Sequence, residues 1–339
     1  MKKEILIGKT LTELTVIAGE YGLPAFAAKQ MADWLYKKQI GSIDEMSNLP
    51  KAKREQLAER YEVGAAKPVQ EIVSVDGTKK YLFSIAGNQT IESVYIPEKD
   101  RATLCVSSQV GCKLNCLFCM TGKQGFQGNL TAGDIINQVR SIPNSDKLTN
   151  LVLMGMGEPF DNTAEVLKAL EIMTSDYGYA WSPHRITVST VGLIPGLQVF
   201  LDKSQCHLAV SLHSPFEKER LELMPVEKVY PLQKVLDLLR KYDFRHQRRL
   251  SFEYIMFEGF NDTMRHAREL LRLLDGFECR VNLISFHAIP NVNLKSSNPD
   301  KMLSFRDYLS NNGIICTIRR SRGEDILAAC GMLSSSLHN

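Results

Sequence analysis

Residues 102–119 read ATLCVSSQVGCKLNCLFC: an apolar run, a polar step through Ser107, Ser108 and Gln109, then Cys112, Cys116 and Cys119 in close succession. Apolar and β-branched residues bounded by serine and glycine predict a short buried strand that ends in a loop. The cysteines therefore belong to the loop just past a strand end. The same pattern repeats downstream. NLVLMG, RITVST, HLAVSLH, LSFEYIMF and RVNLISF are further apolar strands, and TAGDIINQVR, NTAEVLKALEIM, PLQKVLDLLRKY and DTMRHARELLRLLD carry apolar residues at helical spacing. Apolar strands alternating with amphipathic helices predict a parallel sheet covered by helices. Six such units are too few for a closed eightfold barrel. The expected fold class is α/β, a partial (β/α)6 barrel with its chemistry at the carboxyl ends of the strands.

Upstream the pattern differs. GLPAFAAKQMADWLYKKQIG is helical in spacing and stops on Gly41, and a second helix follows Pro50 through KAKREQLAERY. From Pro68 to Tyr95 the residues alternate as strands do, with Asp76-Gly77 as a tight turn. The expected organisation is a helical accessory domain over 1–65, a β-extension over 66–100, the barrel over 101–320 and a C-terminal segment over 321–339.

Composition narrows the setting. In 339 residues the charged fraction is 23%, the hydrophobic fraction 44% and the formal net charge +3, so an RNA partner has to be argued from local basic patches, not from global charge. No apolar run of about 18 residues offers a spanning helix, and MKKEILIGKTLTEL lacks the apolar core of a signal peptide, so no membrane and a cytoplasmic location are expected. Eight cysteines are many for such a protein, and four of them fall between Cys105 and Cys119. In a reducing compartment that crowding points to metal or redox chemistry. Cys206, Cys279 and Cys316 sit in strand-like stretches and read as small buried hydrophobes.

Three thiolates in one loop can hold three irons of a [4Fe-4S] cluster and leave the fourth iron free for a small molecule. S-adenosylmethionine (SAM) suits that iron through its amino and carboxylate groups, and its reductive cleavage yields a 5′-deoxyadenosyl radical. A structural zinc site is the competing reading, but it normally needs a fourth Cys or His at compatible spacing. Here the nearest are Cys105, seven residues upstream, and the distant His184. Gly155-Met156-Gly157-Glu158-Pro159 closes the second strand, where glycine backbone can approach a ligand and Glu158 can accept from an ammonium; a plain strand-to-helix turn is the alternative. Ser189 and Ser211-Leu212-His213 end the next two strands and offer polar groups to the same mouth, or serve as ordinary strand-end turns.

Taken together, CVSSQVGCKLNCLFCMTGKQGF, MGMGEP, STVG, AVSLHS and GEDILAACGML, in this order, resemble the RlmN/Cfr family of radical-SAM RNA methyltransferases over nearly the whole chain. The resemblance implies that Cys330 accepts a methyl group first, that Cys105 later forms a disulfide with it, and that Glu92 accepts a proton. It implies SAM contacts at Gly157, Glu158, Ser189, Ser211, Leu212 and His213, with His287 where the family usually has Asn. It also implies two SAM per turnover, an external electron donor such as flavodoxin, and a monomer, since one chain suffices. The implied substrate is an adenosine of 23S rRNA, with a tRNA anticodon-loop adenosine as a second. Methylation at carbon 2 marks the RlmN type and at carbon 8 the Cfr type; the VGC before the cluster and the GKQGF run look more like the first.

The chemistry needs such a device. An aromatic C–H carbon is too poor a nucleophile for direct methyl transfer, whereas a thiolate displaces methyl from SAM readily. RNA contacts are expected from Arg240 to Arg249, from Arg319, Arg320 and Arg322, and from Lys37, Lys38, Lys51, Lys53 and Arg54, although such runs are first of all solvated faces.

Overall fold

Ten strands form one continuous sheet in the computed structural model, which describes residues 3–85, 87–246 and 248–334. They are β1 (Gln70–Val73), β2 (Lys79–Ile85), β3 (Gln89–Pro97), β4 (Ala102–Cys105), β5 (Asn150–Leu153), β6 (Ile186–Thr190), β7 (His207–Ser211), β8 (Leu250–Met256), β9 (Cys279–Ser285) and β10 (Ile315–Ile318). Each strand lies beside the next in chain order. The first four pair antiparallel, and β4 to β10 run parallel. Parallel neighbours need long crossovers, and helices supply them.

The parallel part has seven strands, one more than the sequence suggested. The seventh, β10, follows the helix Pro299–Asn311, which buries only Met302, Phe305 and Leu309 and so has a thin apolar stripe. The barrel remains open because β3 occupies the edge of β4 that closure would need. Along each parallel strand the side chains alternate. Ile186 and Val188 are buried against helices, while Thr187 and Ser189 are half-buried on the inner face. The register puts Cys105 level with Val152, and it aligns Ser211 with Glu253 and Glu253 with Asn282. A polar ladder lines the interior there, with Asn282 Nδ2 donating to Glu253 (2.7 Å) and Thr317 Oγ1 donating to Asn282 (2.8 Å).

The front is helical. Thr10 and Glu13 form a capping box at the start of Leu11–Glu20, and Lys51–Arg60 follows Pro50. The stretch before Gly41 is a short helix, Ala27–Ala32, continued by a π-helical turn, Asp33–Lys37. Arg140, from the barrel helix Ala132–Arg140, donates to the carbonyls of Leu35, Gln39 and Ile40 and caps the chain leaving that turn. The turn between β1 and β2 is set by Gly77 at φ +84°, with Ser74 N–H donating to Thr78 O at 2.8 Å.

After β10 the chain returns as a strap across the hairpin of β1 and β2. Asp325 accepts from Ser74 Oγ (2.6 Å) and Val75 N (3.1 Å), and Asp76 accepts from Gly323 N (3.1 Å). Of the C-terminal segment expected over 321–339, residues 335–339 lie outside the described residues. No helix among the described residues is long and apolar enough to cross a membrane.

Candidate active site

The cysteine loop is built by what lies beneath it. Leaving β4, Val106 N–H donates to Val152 O, and Ser107 Oγ donates to Glu92 O (2.6 Å) while accepting from Met156 N (2.9 Å). Gln109 Oε1 accepts from Glu158 N (2.9 Å). These bonds draw 106–109 against 155–158 so closely that side chains are excluded. A Cβ on Gly155 would sit 2.7 Å from Val106 carbonyl atoms, and one on Gly157, at φ +97°, would sit 2.5 Å from Gln109 Cβ. The absence of side chains at these glycines admits the base of the cysteine loop. Gly157→Ala would both clash and strain the backbone, so we expect a loss of about 1–3 kcal/mol of stability. Urea denaturation of the metal-free protein, with Gly87→Ala as an unhindered positive-φ control, would show it.

Cys112, Cys116 and Cys119 lie in the mouth of the barrel as free thiols. Cys112 N–H donates to Gly125 O (3.2 Å), and the chain enters the loop between them through Gly111, whose Cβ would strike Gly125 O. Burial pushes the Cys112 thiol up to about 12 and Cys116 well above its usual range, and the charges of the other cysteines add to this. Thiols that oppose one another's ionisation in this way call for cationic iron, which reverses the preference. A four-iron cluster asks each thiolate to bind a different iron, and three thiols in one loop supply that set. The donor set fits the cluster.

Glu158 is buried, accepting from Thr190 Oγ1 (2.6 Å), Val191 N (3.0 Å) and Phe160 N (3.1 Å). Burial raises it to about 7 despite these bonds. A buried carboxylate in that range welcomes an ammonium partner. Ser189 lies on the inner face of β6. His213, at φ +56°, accepts through Nδ1 from Ile255 N (3.0 Å) and sets its ring edge-on to Phe118, 4.7 Å between centroids. The histidine therefore supports the cysteine loop from below. His287 follows β9, where its Nε2 meets Ser321 Oγ at 3.0 Å.

One organising residue was not read from the sequence. Arg220, wholly buried in the helix Glu217–Leu223, donates to the carbonyls of Val191 (2.8 Å), Ser211 (3.1 Å) and Leu212 (3.2 Å). It pairs with Glu227, whose carboxylate also accepts from Leu232 N. In sequence it lies in EKERLEL, which reads as a solvated charged helix; only the tertiary structure turns it inward.

Burial drives His213 down to about 3, helped by the Arg220 charge, so it is neutral, with its proton on Nε2. Below about pH 6.5 the unfolded chain protonates this residue and the folded chain does not. The unfolded state then binds more protons, and stability falls as the pH drops. Asn tolerates positive φ and offers an acceptor in place of Nδ1. We expect the stability difference between wild type and His213→Asn to move by about 1 kcal/mol in favour of the variant from pH 7 to pH 5.5, read from urea midpoints.

Cys105 ends β4 almost fully buried, its thiol pushed up to about 12 by burial and by the charge of Cys330. Cys330 is exposed in the turn of the strap. Desolvation raises its thiol even so, with Glu253 and Cys119 adding to this and Arg319 opposing it. The strap is held over the mouth by Met120 N–H to Gly331 O (2.8 Å), Thr121 Oγ1 to Leu333 O (2.7 Å) and Ser334 N to Glu92 Oε2 (3.0 Å). Glu92 is buried within β3 and paired with Lys80 at 3.0 Å. Cys206 and Cys316 are buried as expected, whereas Cys279 is only half-buried, at the amino end of β9.

Comparison with known proteins agrees with this geometry. Residues 106–274 match the radical SAM superfamily, and residues 6–63 match the ribosomal RNA large subunit methyltransferase N-terminal domain. A protein of Parabacteroides distasonis named probable dual-specificity RNA methyltransferase RlmN is 62% identical over 98% of this chain and 97% of its own length. A protein of the same name from Porphyromonas gingivalis is 57% identical over 99% and 95%. The crystal structure of a radical SAM methyltransferase from Sphaerobacter thermophilus superposes with a TM-score of 0.91 at 38% identity, covering 98% of this chain and all of that one.

Proposed function

The chain belongs to the RlmN family, and from that premise we propose that it methylates carbon 2 of an adenosine in 23S rRNA, and of an adenosine in a tRNA anticodon loop. The observation that carries this reading is the placement of Cys330 on a strap tied to the end of the three-cysteine loop by Met120 N–H to Gly331 O (2.8 Å) and Thr121 Oγ1 to Leu333 O (2.7 Å). Cys112, Cys116 and Cys119 would hold the [4Fe-4S] cluster, and the Glu158 carboxylate with the ends of β6 and β7 would hold SAM. When bound, these supply the 5′-deoxyadenosyl radical, with a second SAM consumed as methyl donor in each turnover.

This chain's residues supply the rest. Cys330, exposed at the mouth, is the group that takes up the methyl by displacement. Glu92 accepts the ring proton once the strap contact at Ser334 gives way to the base. Cys105, giving up its proton, then attacks the Cys330 sulfur: the sulfur–sulfur bond forms, the electron pair of the broken carbon–sulfur bond stays on the nucleotide carbon, which takes up a proton to become the methyl group, and a dithiol-type reductant resets the pair. Phosphate contacts from the helical front (1–65), the extension (66–100) and Arg319, Arg320 and Arg322 orient the RNA. An unpaired segment is required, since the base must leave its stack. A flavodoxin-class electron donor, a monomeric state and a cytoplasmic location complete the proposal.

The test is anaerobic reconstitution with iron and sulfide, then incubation with SAM, reductant and unmodified 23S RNA fragments. Mass spectrometry should find 2-methyladenosine together with 5′-deoxyadenosine; methylation at carbon 8 alone would overturn the carbon-2 assignment.

A further inference from the structure

At the end of the barrel opposite the cysteines, the amino ends of β6 to β10 surround an open recess of about 210 Å³. Its wall includes Arg248, Arg249, Arg280, His207 and His184, against a single carboxylate, Glu278. Among the described residues, neither Arg249 nor Arg280 has a carboxylate in ion-pair contact. By strand alternation both fall on the same side of the sheet as His207, exposed at its amino edge: Arg249 precedes Ser251 and Glu253 on β8, Arg280 precedes Asn282 on β9 and aligns with Ser251. Arg248, only 5% exposed, borders the recess but is tied to the helix layer, donating from Nη2 to Leu201 O (3.1 Å) and lying over the Phe200 ring. His207 accepts through Nδ1 from Arg249 N–H (2.9 Å), which leaves its proton on Nε2 as a donor.

Guanidinium groups gathered this way repel one another. Burial together with the charges of Arg280, Arg319 and Arg101 holds Arg249 below its ordinary range, and desolvation with the neighbouring cations lowers His207 to about 4. Such a cluster is relieved by an anion rich in acceptors, and planar guanidinium forks match phosphate oxygens. The volume accommodates a phosphate and part of an attached sugar.

We propose that this recess is a phosphate-binding site, taking a backbone phosphate of RNA or a free phosphate. The RNA source rests on the methyltransferase reading above. A flexible RNA held at both barrel ends would be anchored away from the modified base, where contacts position without reading sequence.

The experiment uses the reconstituted full-length protein, the Arg249→Gln/Arg280→Gln double variant and Glu278→Gln. RNA-fragment affinity is measured across a salt series, inorganic phosphate binding by calorimetry, and methylation of the same fragment by the wild type in parallel. That last measurement separates failure here from failure of the enzymatic reading. If RNA occupies the site, the double variant binds the fragment about tenfold more weakly near 150 mM salt, with a log–log salt slope shallower by about 2, and Glu278→Gln binds it more tightly. If free phosphate occupies it, RNA binding is unchanged, and calorimetric binding of phosphate is lost in the double variant and strengthened in Glu278→Gln. Should the double variant melt early, Glu278→Gln decides alone: tighter binding of either probe supports the site. No change in either probe overturns it.

Discussion

A Cys105→Ala variant, reconstituted and supplied with SAM, reductant and RNA, is expected to stall with the RNA covalently attached to Cys330. In the proposed sequence the nucleotide carbon and the Cys330 sulfur are joined until a second thiol attacks that sulfur. Cys105 is positioned for this: it ends β4 at the base of the cysteine loop, and the charge of Cys330 is felt at its thiol. Burial raises the Cys105 thiol to about 12 and raises Cys330 as well, so in the proposed sequence it is the exposed position of Cys330, not its acidity, that sets it apart as methyl acceptor. Alanine removes the attacking sulfur and leaves a small cavity at a nearly buried position, a modest cost in stability. Turnover should fall on the order of 10²-fold or more, as it does when a covalent participant is removed. A band of RNA–protein adduct on a denaturing gel, absent from Cys105→Ala/Cys330→Ala, is the diagnostic. An unattached, fully methylated RNA product from the single variant would remove Cys105 from the mechanism.

Much of this arrangement was legible in the sequence, and the reasons differ from part to part. Strands buried on both faces announce themselves as continuous apolar runs, so NLVLMG and HLAVSLH were readable without any structure. Three cysteines immediately after a strand are a local signal, and the loop they occupy is local too. What escaped depends on distant partners. β10 was visible as IICTI but not as a seventh parallel strand, because the helix before it buries only Met302, Phe305 and Leu309. The lack of side chains at Gly155 and Gly157 also serves a contact with residues nearly fifty positions earlier, which the local motif does not show. The surroundings of Glu92 are set by Lys80, across the hairpin, and by Ser334, 242 residues away. No periodicity carries that information. The C-terminal strap belongs with these, since its hold on the mouth consists of single hydrogen bonds to backbone atoms.

Arg220 is the furthest case, and it yields the second large effect. Arg220→Met should destabilise the protein by about 3–5 kcal/mol, because it strands the buried Glu227 carboxylate and frees three carbonyls that one guanidinium now satisfies. Lysine cannot span those carbonyls from a single nitrogen, so Arg220→Lys should recover only part of the loss. Adding Glu227→Gln to Arg220→Met removes the stranded charge while keeping an acceptor for Leu232 N–H, and should restore stability further. Function should respond differently. The three carbonyls belong to Val191, Ser211 and Leu212, at the ends of β6 and β7 where SAM is proposed to bind. Removing the charge at Glu227 repairs the electrostatics but does not re-tie those strand ends. SAM affinity, measured well below the melting temperature of every variant, should therefore remain about tenfold or more weakened in the double variant, the cost of losing about 1.4 kcal/mol of preorganisation. If SAM affinity instead returns in step with stability, Arg220 is a structural ion-pair partner and the carbonyl ties do not position the cofactor. Stability depends on whether Glu227 keeps a charge without a partner; binding depends on whether two strand ends are held together.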